Sequence, residues 1–399
     1  MHRAAELLSA AETSLKRSNL NLKKIVVAGD LRRGCELVVN SALAGQQRGA
    51  KKTARLKLGE VTLHLANSNR FGAALLFATG SETHLDQVQK LARKKGFILD
   101  ETGLYRDEKL IAARTEEDIY QALGLAFIEP ELREGRGEIA LARKRRLTKL
   151  VRAQDIRGIL HAHTDASDGV NTLRQMAEAT RKRGYSYFGV ADHSKSAHYA
   201  GGLSVEEITI QHKLINELNA QYGEEFQIFK GIESDILPDG SLDYPDDVLA
   251  RFDFVVASVH GQFRKDRAAQ TERILRAVAN PYTTILGHMT GRQLLRRPGY
   301  DVDIDAILTA CAKHGVAVEI NANPWRLDLD WRWHQRGLEL GCIFSINPDA
   351  HSISEIELTR WGVSMARKGG VTPDRVLNAL ELSPFREHLH ARKARRRKP

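Results

Sequence analysis

Seven apolar runs recur between residues 156 and 347, at 156–163, 187–193, 226–234, 252–260, 283–288, 316–321 and 343–347. They begin about 25 to 40 residues apart, and the spacing leaves room for a helix between most of them. Apolar periodicity predicts helices at 173–183, 205–222, 267–279 and 304–314. This rhythm is the signature of βα units around a parallel sheet or barrel. The second half of the chain is therefore expected to be α/β.

The ends of these runs carry the chemistry. The first closes on His161-Ala162-His163, with Asp168 just beyond. Residues two apart on a strand share a face, so both imidazoles can reach one ion. The second closes on Asp192-His193, the third on Glu233, the fourth on His260 and the fifth on His288. The seventh leads into Asp349-Ala350-His351, a second alternating pair. The sixth, ending at Asn321, offers no strong ligand. In a βα barrel the C-terminal strand ends meet at one face, where active sites lie. Mixed imidazole and carboxylate ligands suit manganese, zinc or iron(II). The number of ligands calls for two or three divalent ions, which can activate a water and stabilise a leaving oxygen. Lys195, Arg264, Arg292 and Arg326 follow strand ends and are candidate phosphate-binding cations.

Composition narrows the partners. The chain has 399 residues, a net charge of +10 and a pI near 9.5, which favours a polyanionic partner, nucleic acid first. Basic residues crowd 143–152 and again 392–398, and residues 390–399 read as a disordered basic tail. Cys35, Cys311 and Cys342 form no CxxC pair, which fits a reducing compartment and a cytoplasmic protein. No apolar run is long enough for a membrane span. Leu7, Leu8, Ala11 and Leu15 follow helical spacing, so a first helix is expected there and not a signal peptide.

Before residue 130 the pattern is short and mixed, with strands expected at 25–28 and 61–66 and a helix at 85–95. The charged, glycine-punctuated stretch 131–154 reads as a linker. The expected domains are thus 1–130, a second at 155–389, and the tail at 390–399.

Taken together, the strand-end residues resemble the PHP (polymerase and histidinol phosphatase) family over residues 155–389. The resemblance implies a distorted, seven-stranded TIM-like barrel with a trinuclear centre. It assigns His161, His163, Glu233 and Asp349 to a first metal, and Asp168, His193 and His351 to a second. Glu233, His260 and His288 go to a third, with Glu233 bridging. These nine residues form the implied catalytic and metal-binding set.

Gly287-His288-Met289-Thr290-Gly291-Arg292 and Glu319-Ile320-Asn321-Ala322-Asn323-Pro324 resemble the PHP domain fused to bacterial family X DNA polymerases. Gly29-Asp30-Leu31-Arg32-Arg33 then resembles the polymerase palm motif Gly-Ser-x-Arg-Arg, and Phe71-Gly72-Ala73 the approach to the thumb. Gly103-Leu104-Tyr105-Arg106 and Pro130-Glu131-Leu132-Arg133 resemble thumb features, so residues 1–130 become a small α+β palm and thumb region with a fingers remnant. Where the palm family carries three Asp, counting places Asn40, Ala42 and Thr62. Those side chains cannot hold the Mg²⁺ ions of nucleotidyl transfer, so no polymerase activity and no nucleotide triphosphate partner are expected.

The leading reading is a metal-dependent 3′-to-5′ exonuclease acting on DNA, with 3′-phosphatase and abasic-site endonuclease activities as further options. A phosphatase of the histidinol-phosphate type uses the same metal chemistry and stands as the alternative. A non-catalytic DNA-binding scaffold is the third reading, which the complete ligand set disfavours.

Overall fold

Alternating side chains organise the first half of the chain. The computed structural model describes residues 1–396 except 19 and 51, and the chain falls into two units, Met1–Lys149 and Leu150–Pro399. In the first, β1 (Leu22–Ala28), β2 (Ser41–Gln47), β3 (Ala54–Leu58) and β4 (Val61–Ala66) form a sheet ordered β1-β2-β4-β3. β2 and β4 run parallel, and the other two pairs are antiparallel. Neighbours along β2 point to opposite faces. Leu43 joins Leu8 and Leu15 of the helix His2–Lys16, while Ala42 and Ala44 face the helix Phe71–Thr79. The latter helix is apolar on every side, which suits full burial, and eight of its nine residues are buried. Gly72 permits its close approach to the backbone at Thr115, from which a Cβ would stand only 2.2 Å away.

A second core in this unit gathers the helix Glu82–Lys94, the helix Glu116–Ala122 and an antiparallel sheet of β5 (Ile98–Asp100), β6 (Gly103–Arg106) and β7 (Lys109–Ala112). Residues 131–149 belong to it and do not form the expected linker. Arg133 is fully buried and meets Glu116 at 2.5 Å, Ala142 is buried, and Ile139 and Leu147 pack against the same core. Glu138 is likewise buried and paired, with His84 at 2.7 Å, while Arg143 to Arg146 stay exposed. Residues 150–154 join the second unit, where the Val151 amide donates to the Val371 carbonyl.

The second unit is built from parallel strands. β8 (Gly158–Ile159), β9 (Tyr187–Val190) and β10 (Gln227–Lys230) form one sheet in the order β10-β9-β8. β11 (Glu233–Asp235), β12 (Val256–Ser258), β13 (Ile285–Leu286), β14 (Ala317–Asn321) and β15 (Phe344–Asn347) form another in sequence order. Two isolated parallel bridges, His193 with Glu233 and Ala162 with Ala350, join their edges. The third apolar run is broken at Gly231, where a Cβ would lie 2.2 Å from the Phe254 ring. Helices Leu173–Lys182, Val205–Tyr222, Arg267–Ala279 and Ile304–His314 separate the strands. Each opens on a capping side chain, Thr172, Ser204, Asp266 or Asp303, which accepts a first-turn amide.

The expected basic tail is largely ordered. A helix, Leu382–Arg396, covers all of 390–396, and the remainder of the tail lies outside the described residues. Phe385 and Leu389 bury into the core, Arg392 donates to the carbonyls of Gly315 and Thr283, and Lys393 meets Asp253 at 2.8 Å. Apolar anchors one turn before the basic run hold it against the strands. Among the described residues, no helix is long and apolar enough to cross a membrane.

Candidate metal centre

Two bridges explain how residues far apart in sequence meet. Ala162 lies beside Ala350, and the His163 amide donates to the Ala350 carbonyl at 2.8 Å. The residues flanking each alanine share a face. His161 and His163 therefore converge with Asp349 and His351. His163 Nε2 lies 3.3 Å from Asp349 Oδ1, and the His163 and His351 rings stack at 4.2 Å. His193 sits beside Glu233, with Nδ1 3.1 Å from Oε2.

Glu233 is the hub. Its carboxylate is approached by His161 at 3.4 Å, His163 at 3.7 Å, His260 at 3.2 Å and His288 at 3.0 Å, besides His193. Asp168 stands at the exposed side, 3.5 Å from His193 and 3.4 Å from His351. Three sets of atoms lie close enough to share an ion: His163, Asp168, His193 and His351; His161, His163 and Asp349; and His193, Glu233 and His260. The nine residues singled out from sequence thus come together, with a different division. His163 and His193 each fall in two sets, and Glu233 groups with His193 and His260 and not with the His161 set. His288 reaches Glu233 but joins no set.

The donor set fits divalent cations. His161 Nε2, His163 Nδ1 and Nε2, and His193 Nδ1 are buried and make no hydrogen bond. Each such orphan costs about 1–3 kcal/mol, which a cation in their midst offsets. The charges agree. Burial alone would raise Glu233, yet His260, His161 and His193 hold it well below the usual carboxylate range. Burial likewise opposes protonation of His260, but Glu233 and Asp235 push it up to about 10. Burial would raise Asp349 too, and His161 and His163 bring it well down. The carboxylates stay ionised and draw positive charge inward. Asp349 also holds a left-handed φ of +53°, a backbone state costly for a non-glycine residue.

Sequence reasoning missed the residues behind the ligands. Glu319 is fully buried and accepts from His161 Nδ1 at 2.6 Å, the His288 amide at 2.7 Å and Asn347 at 2.9 Å. Asn321 donates to Glu319 at 3.2 Å and to Asp349 at 3.0 Å. Asp235 accepts from His260 Nδ1 at 2.5 Å. Carboxylates placed this way fix imidazole tautomers and orientation. The sixth strand, which offered no ligand, therefore braces the ligands of its neighbours. Its Glu-x-Asn alternation was the available signal. Asp192 plays a similar part, accepting from Thr164, Ser167 and Gln211 and so holding the loop that leads to Asp168.

Of the four candidate cations, Arg326 is at the cluster, 3.5 Å from Asp349. Arg292 is not a free clamp. It donates to the carbonyls of Arg326 and Leu327 and to Asp330 at 2.7 Å, so it anchors the segment carrying Arg326. Lys195 is exposed on the loop after His193. Arg264 is exposed beside a groove of about 600 Å³ that Phe263, Arg297 and Tyr300 also line.

In the first unit the palm-like positions come together without acids. Ala42 and Thr62 are register partners on β2 and β4. Asp30 accepts from the amides of Val39 and Asn40 and from Arg33. Arg32 pairs with Glu116 at 2.6 Å. The metal-competent sets found among the described residues all lie in the second unit.

Comparison with known proteins accords with this division. Residues 74–134 match the DNA polymerase beta thumb, and residues 160–323 match the PHP domain. The chain is 39% identical over 331 residues to the DNA polymerase/3′-5′ exonuclease PolX of Bacillus subtilis, a stretch covering 82% of this chain and 58% of that protein. It is 27% identical over 250 residues to a probable phosphatase of Thermoanaerobacter sp. strain X514, covering 58% of this chain and 94% of that one. A probable phosphatase of Vibrio parahaemolyticus is 27% identical over 232 residues, covering 54% and 87%. A segment matching the DNA polymerase beta thumb is thus followed by one matching the PHP domain, and over 82% of its length the chain resembles PolX, a family X DNA polymerase/3′-5′ exonuclease.

Proposed function

We propose that the chain is a metal-dependent phosphoesterase that cleaves DNA from the 3′ end, as a 3′-to-5′ exonuclease, with its catalytic centre between His161 and His351. The observation that carries this reading is the ring of imidazoles around the buried Glu233, open to solvent at Asp168. His161, His163 and Asp349 would hold one ion, His163, Asp168, His193 and His351 a second, and His193, Glu233 and His260 a third, with His288 beside Glu233. Manganese, zinc and iron(II) all suit these donors. Such ions supply Lewis acidity toward the phosphoester and the attacking water. The chain's own part is orientation: Arg326 takes a phosphate oxygen, Arg292 holds Arg326 in place, and the Arg264–Arg297 groove favours a polyanion. The two edge bridges support closure of the sheets into one distorted seven-stranded barrel, with β10 and β11 acting as a single bent strand.

Polymerase activity is absent in this reading, because Asn40, Ala42 and Thr62 stand where carboxylates are needed. Residues 1–130 then serve as a DNA-holding remnant of a polymerase. Cys35, Cys311 and Cys342 form no disulfide with one another, which favours a reducing compartment such as the cytoplasm. The identity to probable phosphatases supports a second reading, a small-molecule phosphatase of the histidinol-phosphate type. Purified protein with Mn²⁺ is offered a 3′-recessed duplex, abasic-site DNA and histidinol phosphate. Stepwise shortening of the recessed strand is expected; turnover of histidinol phosphate alone sinks the DNA reading.

A further inference from the structure

Among the described residues, Tyr199 is the single Phe, Trp or Tyr side chain in the exposed class, at 73%. It stands at the mouth of the metal centre, with its ring 6.3 Å from that of His193.

The loop that carries Tyr199 is braced. The Leu203 amide donates to the His193 carbonyl at 2.9 Å, the Ser196 amide to Asp243 at 2.5 Å, and the Lys195 amide to the Tyr244 hydroxyl at 3.1 Å. Gly202 leaves no room for a side chain, since a Cβ would sit 1.9 Å from the Ser194 carbonyl oxygen. Gly201, at φ +67°, packs against the backbone of Ser167 on the neighbouring loop. That second loop exposes Val170, 74% accessible, whose amide donates to the His351 carbonyl at 2.9 Å. Two exposed apolar side chains on adjoining loops therefore flank Asp168. A scattered surface apolar residue needs no explanation. An exposed ring on a rigid loop beside a catalytic mouth is different, because its ordering cost is already met before a ligand arrives.

We propose that Tyr199, flanked by Val170, is the platform on which the terminal nucleobase of the DNA strand stacks while its phosphate lies at the metal centre and Arg326. Stacking on an aromatic face is tolerant of base identity, as removal of successive nucleotides requires. The inference rests on the proposed exonuclease activity.

The test uses the full chain with Mn²⁺ and two oligonucleotides that differ only at the 3′ end, one ending in thymidine and one in a tetrahydrofuran abasic residue. Tyr199→Ala is expected to lower kcat/KM on the thymidine end by about 5- to 150-fold, the kinetic equivalent of base–aromatic stacking. On the abasic end the variant and the unmodified chain should agree within about twofold, since no base is there to stack. Tyr199→Phe and Tyr199→Trp should keep the preference for the thymidine end. Equal rates for Tyr199→Ala and the unmodified chain on the thymidine end overturn the inference and leave the exonuclease reading standing. So does an equal loss on both ends, which marks a general defect in the site. If the unmodified chain cleaves neither end, the exonuclease reading falls and the inference falls with it.

Discussion

Replacing Glu319 by glutamine tests whether the sixth strand serves the metal centre. Glu319 is fully buried, and its two oxygens receive four hydrogen bonds, from His161, Asn347, the His288 amide and Asn321. An ionised carboxylate only accepts, so His161 must carry its proton on Nδ1. That leaves the lone pair on Nε2, the atom facing Glu233 at 3.4 Å and Asp349 at 3.6 Å. In Glu319→Gln one oxygen becomes an amide nitrogen that faces two donors. If both pairs are broken without relaxation, the cost is about 2–6 kcal/mol, at ~1–3 kcal/mol each. The imidazole can escape this by moving its proton to Nε2, but that removes His161 from the ligand set. Either route weakens metal binding, by about 10- to 100-fold for loss of such an outer partner. The assay is hydrolysis of bis(p-nitrophenyl) phosphate against Mn²⁺ concentration, alongside a competition titration with a chromophoric chelator. The metal midpoint should rise by that factor, and added metal should restore most of the rate. A folded variant with an unchanged midpoint would refute the argument. A loss that excess metal does not restore would assign Glu319 to packing alone.

Arg326→Ala should raise KM for DNA by about 10-fold or more, with Arg326→Lys failing to restore it, because a guanidinium fork matches phosphate geometry. Arg292→Ala should give a smaller defect in binding and a measurable loss of thermal stability, since its donors hold backbone carbonyls; reversal of those two patterns contradicts the assignment. Chelation should lower the melting temperature, and re-addition of metal should raise it with concentration, by about 2.7 kcal/mol of stability at a hundredfold excess over Kd; a metal-independent transition argues against the cluster as a binding site. Burial holds His334 down at about 4, so its neutral form is the folded one and stability is lost as pH falls from 6.5 through 4. Urea unfolding at pH 7.5 and 4.5 should show the unmodified chain losing about 2–3 kcal/mol more than His334→Gln, and equal losses would dismiss the effect.

The ligand strand ends were legible because two constraints coincide in one dimension. Strand alternation fixes which residues share a face, and His161-x-His163 and Asp349-x-His351 display that alternation directly. The helices Val205–Tyr222, Arg267–Ala279 and Ile304–His314 also end where periodicity and capping residues place them. What escaped is long-range pairing. Glu319 matters through His161, 158 residues away, and its one local signal, the Glu-x-Asn alternation, does not name that partner. The stretch 131–149 misled for the same reason, because Arg133 and Glu138 look solvated until Glu116 and His84 are found beside them. Arg292 looked like a phosphate ligand because its true partners, the carbonyls of Arg326 and Leu327, leave no trace in side-chain chemistry.

That long-range pairing also bears on how the polymerase-like half should be weighed. Its most recognisable motif residues, Arg32 and Arg33, are not by themselves signs of retained nucleotide chemistry. Their contacts give them another reason to persist. Arg32 shares Glu116 with the buried Arg133, and Arg33 meets Asp30 at 2.6 Å and Glu134 at 3.0 Å. Removing one partner of a buried pair costs about 3–5 kcal/mol, a large share of a domain's stability. Such residues are held by folding whether or not a nucleotide ever binds. Carboxylates that exist only to hold Mg²⁺ have no such protection, since grouped at one point they repel each other. The diagnostic positions are therefore those whose only reason to remain is chemistry. By that standard the described residues of the first unit bring together no metal-competent set, while the second gathers buried imidazoles and carboxylates that a bound cation would satisfy.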